Sequence, residues 1–130
     1  MPPIAKQEDQ VKDAMDKLQE DAKELEQMMK DAKMNQMPEA QQFVEAVQKN
    51  DAGQNMQAMS QSLKQQQKQD AAKQGKEAAN KLNSMLGEMQ KQQMAMRGAD
   101  NEAIKRAMKR ALEDANQLSK NQEELLKEAA

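Results

Sequence analysis

Methionine, whose thioether sulfur can bind a soft metal ion, accounts for 13 of the 130 residues of this sequence. Thioether sulfurs bind Cu(I), and Met85, Met89, Met94 and Met96 lie close together in the sequence. Three of them, Met85, Met89 and Met96, also recur at helical spacing, where methionine ordinarily fills a hydrophobic core. Because the chain has neither Cys nor His to complete a copper site, we predict core methionines, with no metal and no cofactor.

Acidic residues are the next candidates for chemistry, and several recur in pairs, such as Asp13 with Asp16 and Glu113 with Asp114. A carboxyl group catalyses proton transfer when burial or crowding shifts its pKa. These pairs alternate with lysines on helix faces that lack apolar cover, so we interpret them as solvated. The serines have no histidine to activate them, and we predict no catalytic residue and no enzyme.

A basic cluster of Lys105, Arg106, Lys109 and Arg110 has the chemistry to contact phosphate or anionic lipid. Acidic residues flank it, the formal net charge of the chain is -2, and Phe43 is the single aromatic residue available for base stacking. The better interpretation is a solvated helix face, and we predict no nucleic-acid partner.

Apolar residues recur at alternating steps of three and four positions in the segments that carry these methionine, acidic and basic side chains. That spacing is typical of helices that bury one narrow stripe against a partner helix. We predict a packing seam that contains Val11, Met15, Leu18, Leu25, Met29, Leu63, Leu82, Leu86, Met89, Ile104, Met108, Leu112, Leu118 and Leu125.

Proline, glycine and capping residues divide the pattern into helices over about 5–34, 38–49, 52–97 and 101–128. Pro38 ends or kinks the first helix and suits the first turn of the next. Asn50 is expected to take the left-handed conformation, with Asp51 capping the following helix. The stripe fades over 64–70, where a disordered Gln/Lys tract is the alternative to a continuous helix.

Two residues within these stripes allow more than one interpretation. Gly75 would let a neighbouring helix approach closely, or it simply weakens its helix by up to about 1 kcal/mol. Gln122 interrupts the last stripe between Leu118 and Leu125. It is either a buried amide that fixes the register of packing or a side chain that faces solvent at a frayed edge.

The helix lengths predict an all-α fold in a single domain. The arms over 5–49 and 52–97 would each reach about 65 Å at ~1.5 Å per residue. With tight turns at 50–52 and 98–100, the layout is an elongated antiparallel coiled-coil bundle of three long arms, the first kinked near Pro38. Both ends of the chain would suit a segment of a longer protein.

No apolar run approaches the roughly 20 residues needed to cross a bilayer, so we predict no direct membrane insertion. The segments 54–93 and 101–128, the second of which contains the closing motif LSKNQEEL over 118–125, resemble the Gln/Met-rich helical region of large bacterial envelope proteins that carry a domain of unknown function. That resemblance implies a helical segment of an envelope or periplasm-facing stalk, although a cytoplasmic location stays open. It implies no catalytic residues.

The predicted function is a non-catalytic structural or protein-interaction module, namely a scaffold, spacer or self-association segment. Its expected partners are protein helices, either in the same molecule or in a second copy, because one stripe serves both purposes. The alternative is a chaperone-like binder that holds apolar helices or peptides against a methionine-lined stripe.

Overall fold

The computed structural model describes residues 3–31, 38–96, 98 and 101–129, and every regular element within these ranges is an α-helix. The all-α prediction is confirmed. The five helices, in chain order, are α1 (Pro3–Asp31), α2 (Pro38–Gln48), α3 (Ala52–Lys64), α4 (Lys68–Ala95) and α5 (Glu102–Ala129).

The helix α1 runs antiparallel to α2 and then to α3. The Gln48 side-chain amide of α2 donates to Glu26 Oε2 of α1 at 3.1 Å. Toward the other end of α1, the Ser60 hydroxyl of α3 donates to the Glu8 carboxylate. Residue numbers fall along α1 as they rise through α2 and α3, so α2 and α3 follow one another beside α1. Together α2 and α3 form one arm that is bent near residue 50.

The same bent arm runs antiparallel to α4. The Gln92 amide, near the end of α4, donates to Gln42 Oε1 of α2 at 2.7 Å. At the start of α4, Asp70 Oδ2 accepts a hydrogen bond of 2.5 Å from the Ser62 hydroxyl of α3. Therefore α2 lies beside the C-terminal half of α4, and α3 lies beside the N-terminal half.

The last helix, α5, lies between α1 and α4 and contacts both. On the α1 side, Lys17 Nζ lies 3.5 Å from Asp114 Oδ1. On the α4 side, the Gln122 amide donates to the backbone carbonyl of Gly75 at 3.3 Å. The described residues therefore form four arms of alternating direction, namely α1, the bent α2–α3 arm, α4 and α5, and neighbouring arms are antiparallel.

This arrangement corrects the predicted three-arm layout. The first predicted arm, over 5–49 with a kink near Pro38, is wrong, because α1 and α2 lie side by side rather than end to end. The turn predicted at 50–52 bends the chain without reversing it. Residues 32–34 of the first predicted helix fall outside the described ranges, and so does the greater part of the turn predicted at 98–100.

The prediction of one continuous helix over 52–97 is also wrong. The backbone of Gln66 has a φ of 60°, which ends α3 and reverses the chain. The Gln67 N–H donates to the Ser62 carbonyl at 2.8 Å, and the Gln66 N–H donates to the Leu63 carbonyl at 3.1 Å. This pair of bonds is the Schellman pattern of a helix C-terminus. Residues 64–70 are all exposed, so a helix continued through them would bury no apolar face.

The boundary between α2 and α3 differs from the prediction for Asn50 and Asp51. Asn50 has no positive φ, and its side-chain oxygen accepts the Ala52 N–H at 2.9 Å. Asp51 makes no capping bond with its side chain. At the start of α5 the cap is Asn101, whose side-chain oxygen accepts the Ile104 N–H at 3.0 Å.

The hydrophobic core lies along the axis between the four arms. Every arm contributes large side chains that are less than 2% exposed, and these residues are Leu18, Leu25, Phe43, Val47, Met59, Leu82, Met89, Ile104, Met108, Leu118 and Gln122. Because aromatic residues are nearly absent, Leu and Met provide most of the buried volume and Ala lets the helices approach.

Candidate functional site

Two acidic residues face each other where α1 packs against α5. Asp21 lies one position before the buried seam residue Ala22, and Asp114 lies one position before the buried seam residue Ala115. The small alanine side chains allow the two helices to approach, which encloses the flanking carboxyl groups. As a result Asp21 is only 9% exposed.

The positive charges near this pair offset only part of its negative charge. Lys17 Nζ lies 3.5 Å from Asp114 Oδ1, and the side chain of Lys17 itself is 66% exposed. Arg110, one turn from Asp114, lies 3.9 Å from Glu24 and is shared with that carboxylate. The Oδ2 atoms of Asp21 and Asp114 are both buried, and neither has a hydrogen-bond partner when both groups are ionised.

The pKa of Asp21 is raised from 3.8 to about 7, chiefly because burial removes the carboxyl group from water and disfavours its charged form. The neighbouring Asp114 contributes to this rise through a hydrogen bond and through its negative charge, while Lys17 and Arg110 oppose it. With one proton on the pair, one carboxyl group can donate to the other carboxylate. The chemistry that this geometry supports is reversible binding of a proton near neutral pH.

No pattern in the sequence pairs Asp21 with Asp114. The carboxylate pairs visible in the sequence lie within single helices, and of these Asp13 and Asp16 are exposed as predicted. Asp114 is adjacent to Glu113 in the sequence, but its contact is with Asp21 on a distant helix. One available signal was that both aspartates directly precede an alanine of a seam, the position that close helix packing encloses.

The predicted seam residues lie in or against the core. Those that are buried are Val11, Leu18, Leu25, Met29, Leu82, Leu86, Met89, Ile104, Met108, Leu118 and Leu125. Met15, Leu63 and Leu112 are partly buried and pack against that core.

The methionines considered for copper do not converge. Met85 and Met89 are buried in the stripe of α4, and Met96 is buried directly after the end of that helix. Met94 lies on the opposite face and is 64% exposed. The four sulfurs therefore do not lie on one face of the helix, where they could bind the same metal ion. Among the residues that the structure describes, no group of three or more acidic side chains is arranged to hold a metal ion.

The basic cluster at the start of α5 is partly paired with acidic residues. Lys105 Nζ lies 3.2 Å from Glu102, and Arg110 lies 3.9 Å from Glu24. Arg106 is exposed beside a shallow groove of about 390 Å³ between α4 and α5. The solvated part of this helix face therefore carries charge of both signs.

Gln122 is completely buried, which decides between the two interpretations of this residue. Its amide nitrogen lies 3.3 Å from the Gly75 carbonyl and 3.5 Å from Met59 Sδ, while its Oε1 has no hydrogen-bond partner. A β-carbon on Gly75 would lie 2.6 Å from Met59 Sδ. Gly75 therefore allows the close approach of α3 and α5 to α4, and Gln122 occupies the layer beside it.

None of the helices in the described ranges has the length and apolar character required to cross a membrane. Comparison of the chain with protein-family models, with curated proteins and with solved structures gives no significant match. The resemblance to the helical region of bacterial envelope proteins therefore stays a prediction from the sequence, and a functional proposal depends on the geometry of the bundle.

Proposed function

We propose that this chain is a non-catalytic helical module that acts as a scaffold or protein-interaction element. The observation that carries the proposal is that all four arms bury their apolar stripes in one shared core. Within the described ranges, Met94 is the one large hydrophobic side chain that is exposed. Partners would therefore meet a surface of charged and amide side chains on a rigid helical body.

The packing of α5 supports a coiled-coil character for this module. Apart from Ser119, its buried residues follow steps of four and three, through Ile104, Met108, Ala111, Ala115, Leu118, Gln122 and Leu125. A strict 3.5-residue repeat keeps one seam facing its neighbours along the whole helix. A location in a bacterial cell envelope is part of the proposal only through the sequence resemblance.

Sedimentation equilibrium across a wide range of protein concentration tests whether the stripes are satisfied within one molecule. A closed bundle has a constant mass of 14.7 kDa. A mass that doubles with increasing protein concentration would show that a second copy covers part of the seam. The module would then be self-associating rather than closed within one molecule.

The chaperone-like alternative depends on access to the methionine stripe. Met85 and Met89 are 4% and 0% exposed, so an apolar peptide could reach them only after the bundle opens. We expect little binding of a dye that reports exposed apolar surface, and no change in that binding for Met85→Gln relative to the exposed control Met94→Gln. Strong dye binding that Met85→Gln alone abolishes would favour the alternative.

A further inference from the structure

The contact between α1 and α5 contains the one group of the described residues that combines burial, an unpartnered polar atom and a like-charged neighbour. We propose that Asp21 and Asp114 form a proton-operated latch between α1 and α5. In the closed state one proton joins the two carboxyl groups across the seam. When both groups are ionised, the seam loosens and α1 separates from α5. This regulation goes beyond a scaffold role and does not depend on it.

The position of the pair makes its charge state a property of the interface. Asp21 belongs to α1 and Asp114 to α5, and the side chain of Asp114 is only 15% exposed. Two adjacent carboxylates in such a place repel each other with little screening by water. A single proton removes that repulsion and allows one carboxyl group to donate a hydrogen bond to the other across the two helices.

The other charges that act on Asp21 come from the same two helices. Lys17 on α1 and Arg110 on α5 favour the ionised form, and Glu24 on α1 holds part of the charge of Arg110 at 3.9 Å. The arm formed by α2 and α3 also packs against α1, and it contributes none of the charges that shift this group within the described residues. The latch therefore responds to proton concentration through the α1–α5 seam alone.

The direction of the pH effect follows from the two states of Asp21. In the unfolded chain its pKa is the ordinary 3.8, and in the folded chain the pKa is about 7. Between these values the folded protein holds a proton that the unfolded protein has released. A rise in pH therefore destabilises the fold across this window, by up to about tenfold in the unfolding equilibrium constant for each pH unit. This pH-dependent loss of stability is complete above about pH 8, where Asp21 is ionised in both the folded and the unfolded chain.

The first experiment is urea unfolding of the wild-type chain, Asp21→Asn and the control Asp13→Asn between pH 4 and pH 9. Asparagine keeps the shape of the side chain, stays neutral and can donate to Asp114. We expect Asp21→Asn to lose the decrease in stability between pH 4 and pH 7 and to exceed the wild type above pH 8. Asp13→Asn, which alters an exposed residue of the same helix, should follow the wild-type profile.

The second experiment locates the opening. Hydrogen exchange at pH 6 and pH 8, corrected for the intrinsic rate of exchange, should show the largest loss of protection in α1 of the wild type. The α3–α4 hairpin serves as the internal reference, because it contains neither carboxyl group. In Asp21→Asn the protection of α1 should be the same at both pH values.

Three results would overturn the latch. The first is the same pH profile of stability for wild type and Asp21→Asn, and the second is an equal loss of protection in α1 and in the α3–α4 hairpin. The third is direct, and it does not require that any variant folds. It is a carbon-13 NMR titration of the wild-type Asp21 carboxyl carbon with its midpoint below pH 5. A self-associating mass in sedimentation would contradict the closed module but leave these three readouts unchanged.

Discussion

At the scale of single residues, Gly75 and Met59 show how closely the arms approach. A β-carbon on Gly75 would lie 2.6 Å from Met59 Sδ and 3.0 Å from Leu126 Cδ1. Met59 is fully buried, so its sulfur can move away from such a β-carbon only by displacing other atoms of the core. Gly87, on the same helix, has no atom within 4 Å of the equivalent position. One glycine is therefore required by packing, and the other only weakens its helix.

These two glycines form a matched pair of substitutions in α4. Gly87→Ala should raise the free energy of unfolding by about 1 kcal/mol, because alanine favours the helical conformation. Gly75→Ala gains the same propensity but overfills the layer around Met59, which typically costs about 1–3 kcal/mol. We therefore expect Gly75→Ala to lower the free energy of unfolding in urea titrations. Equal stabilisation by both substitutions would contradict the close approach.

At the scale of secondary structure, the decisive element is the reversal between α3 and α4. The sequence over 64–70 is rich in helix-favouring Gln and Lys, yet the helix ends there. Folding back places Met59 against Gly75 and links Ser62 to Asp70 at 2.5 Å. Burial of the stripes of α3 and α4 against each other outweighs the few hydrogen bonds that a continuous helix would add.

The conformation of Gln66 gives this reversal a sharp test. A left-handed backbone costs a residue with a side chain about 1–2 kcal/mol, and glycine adopts it freely. Gln66→Gly should therefore raise the free energy of unfolding by about 1 kcal/mol. Gln61→Gly, at an exposed position within α3, is the control and should lower it by about 1 kcal/mol. In a continuous helix both substitutions would be destabilising, and chemical denaturation distinguishes the two cases.

At the scale of the whole molecule, the number of arms sets the shape. The longest helix, α1, contains 29 residues, which corresponds to about 44 Å at ~1.5 Å per residue. Four arms of alternating direction enclose one core, so each arm packs against two neighbours. The same chain laid out as three longer arms would be a thinner and longer particle with a smaller buried area per residue.

Small-angle X-ray scattering measures this difference directly. We expect a largest dimension on the order of 50 Å for the four-arm bundle, from the length of α1 and its side chains. The three-arm layout would extend to about 65 Å or more. Measurement at several protein concentrations separates the intrinsic length from self-association, and a length near 65 Å at infinite dilution would contradict the four-arm arrangement.

Local patterns accounted for much of the fold. Helical content follows from propensity and from the three-and-four spacing, because both act between residues one turn apart. The stripe of α5, from Ile104 to Leu125, could be identified in the same way, and Pro38 marked the start of a helix. The absence of Cys and His from the chain limits the available chemistry in whatever way the helices pack.

What the sequence by itself determined, then, is that helices form and which face of each is apolar. Only the tertiary structure decided which faces meet, since an apolar stripe gains similar free energy against any other stripe of matching length. That choice places the reversal at Gln66 rather than at Asn50, and it brings Asp21 to Asp114. The candidate site could not be predicted because it belongs to neither helix alone. The raised pKa of Asp21 arises from burial and from the neighbouring Asp114, and both exist only after α1 packs against α5.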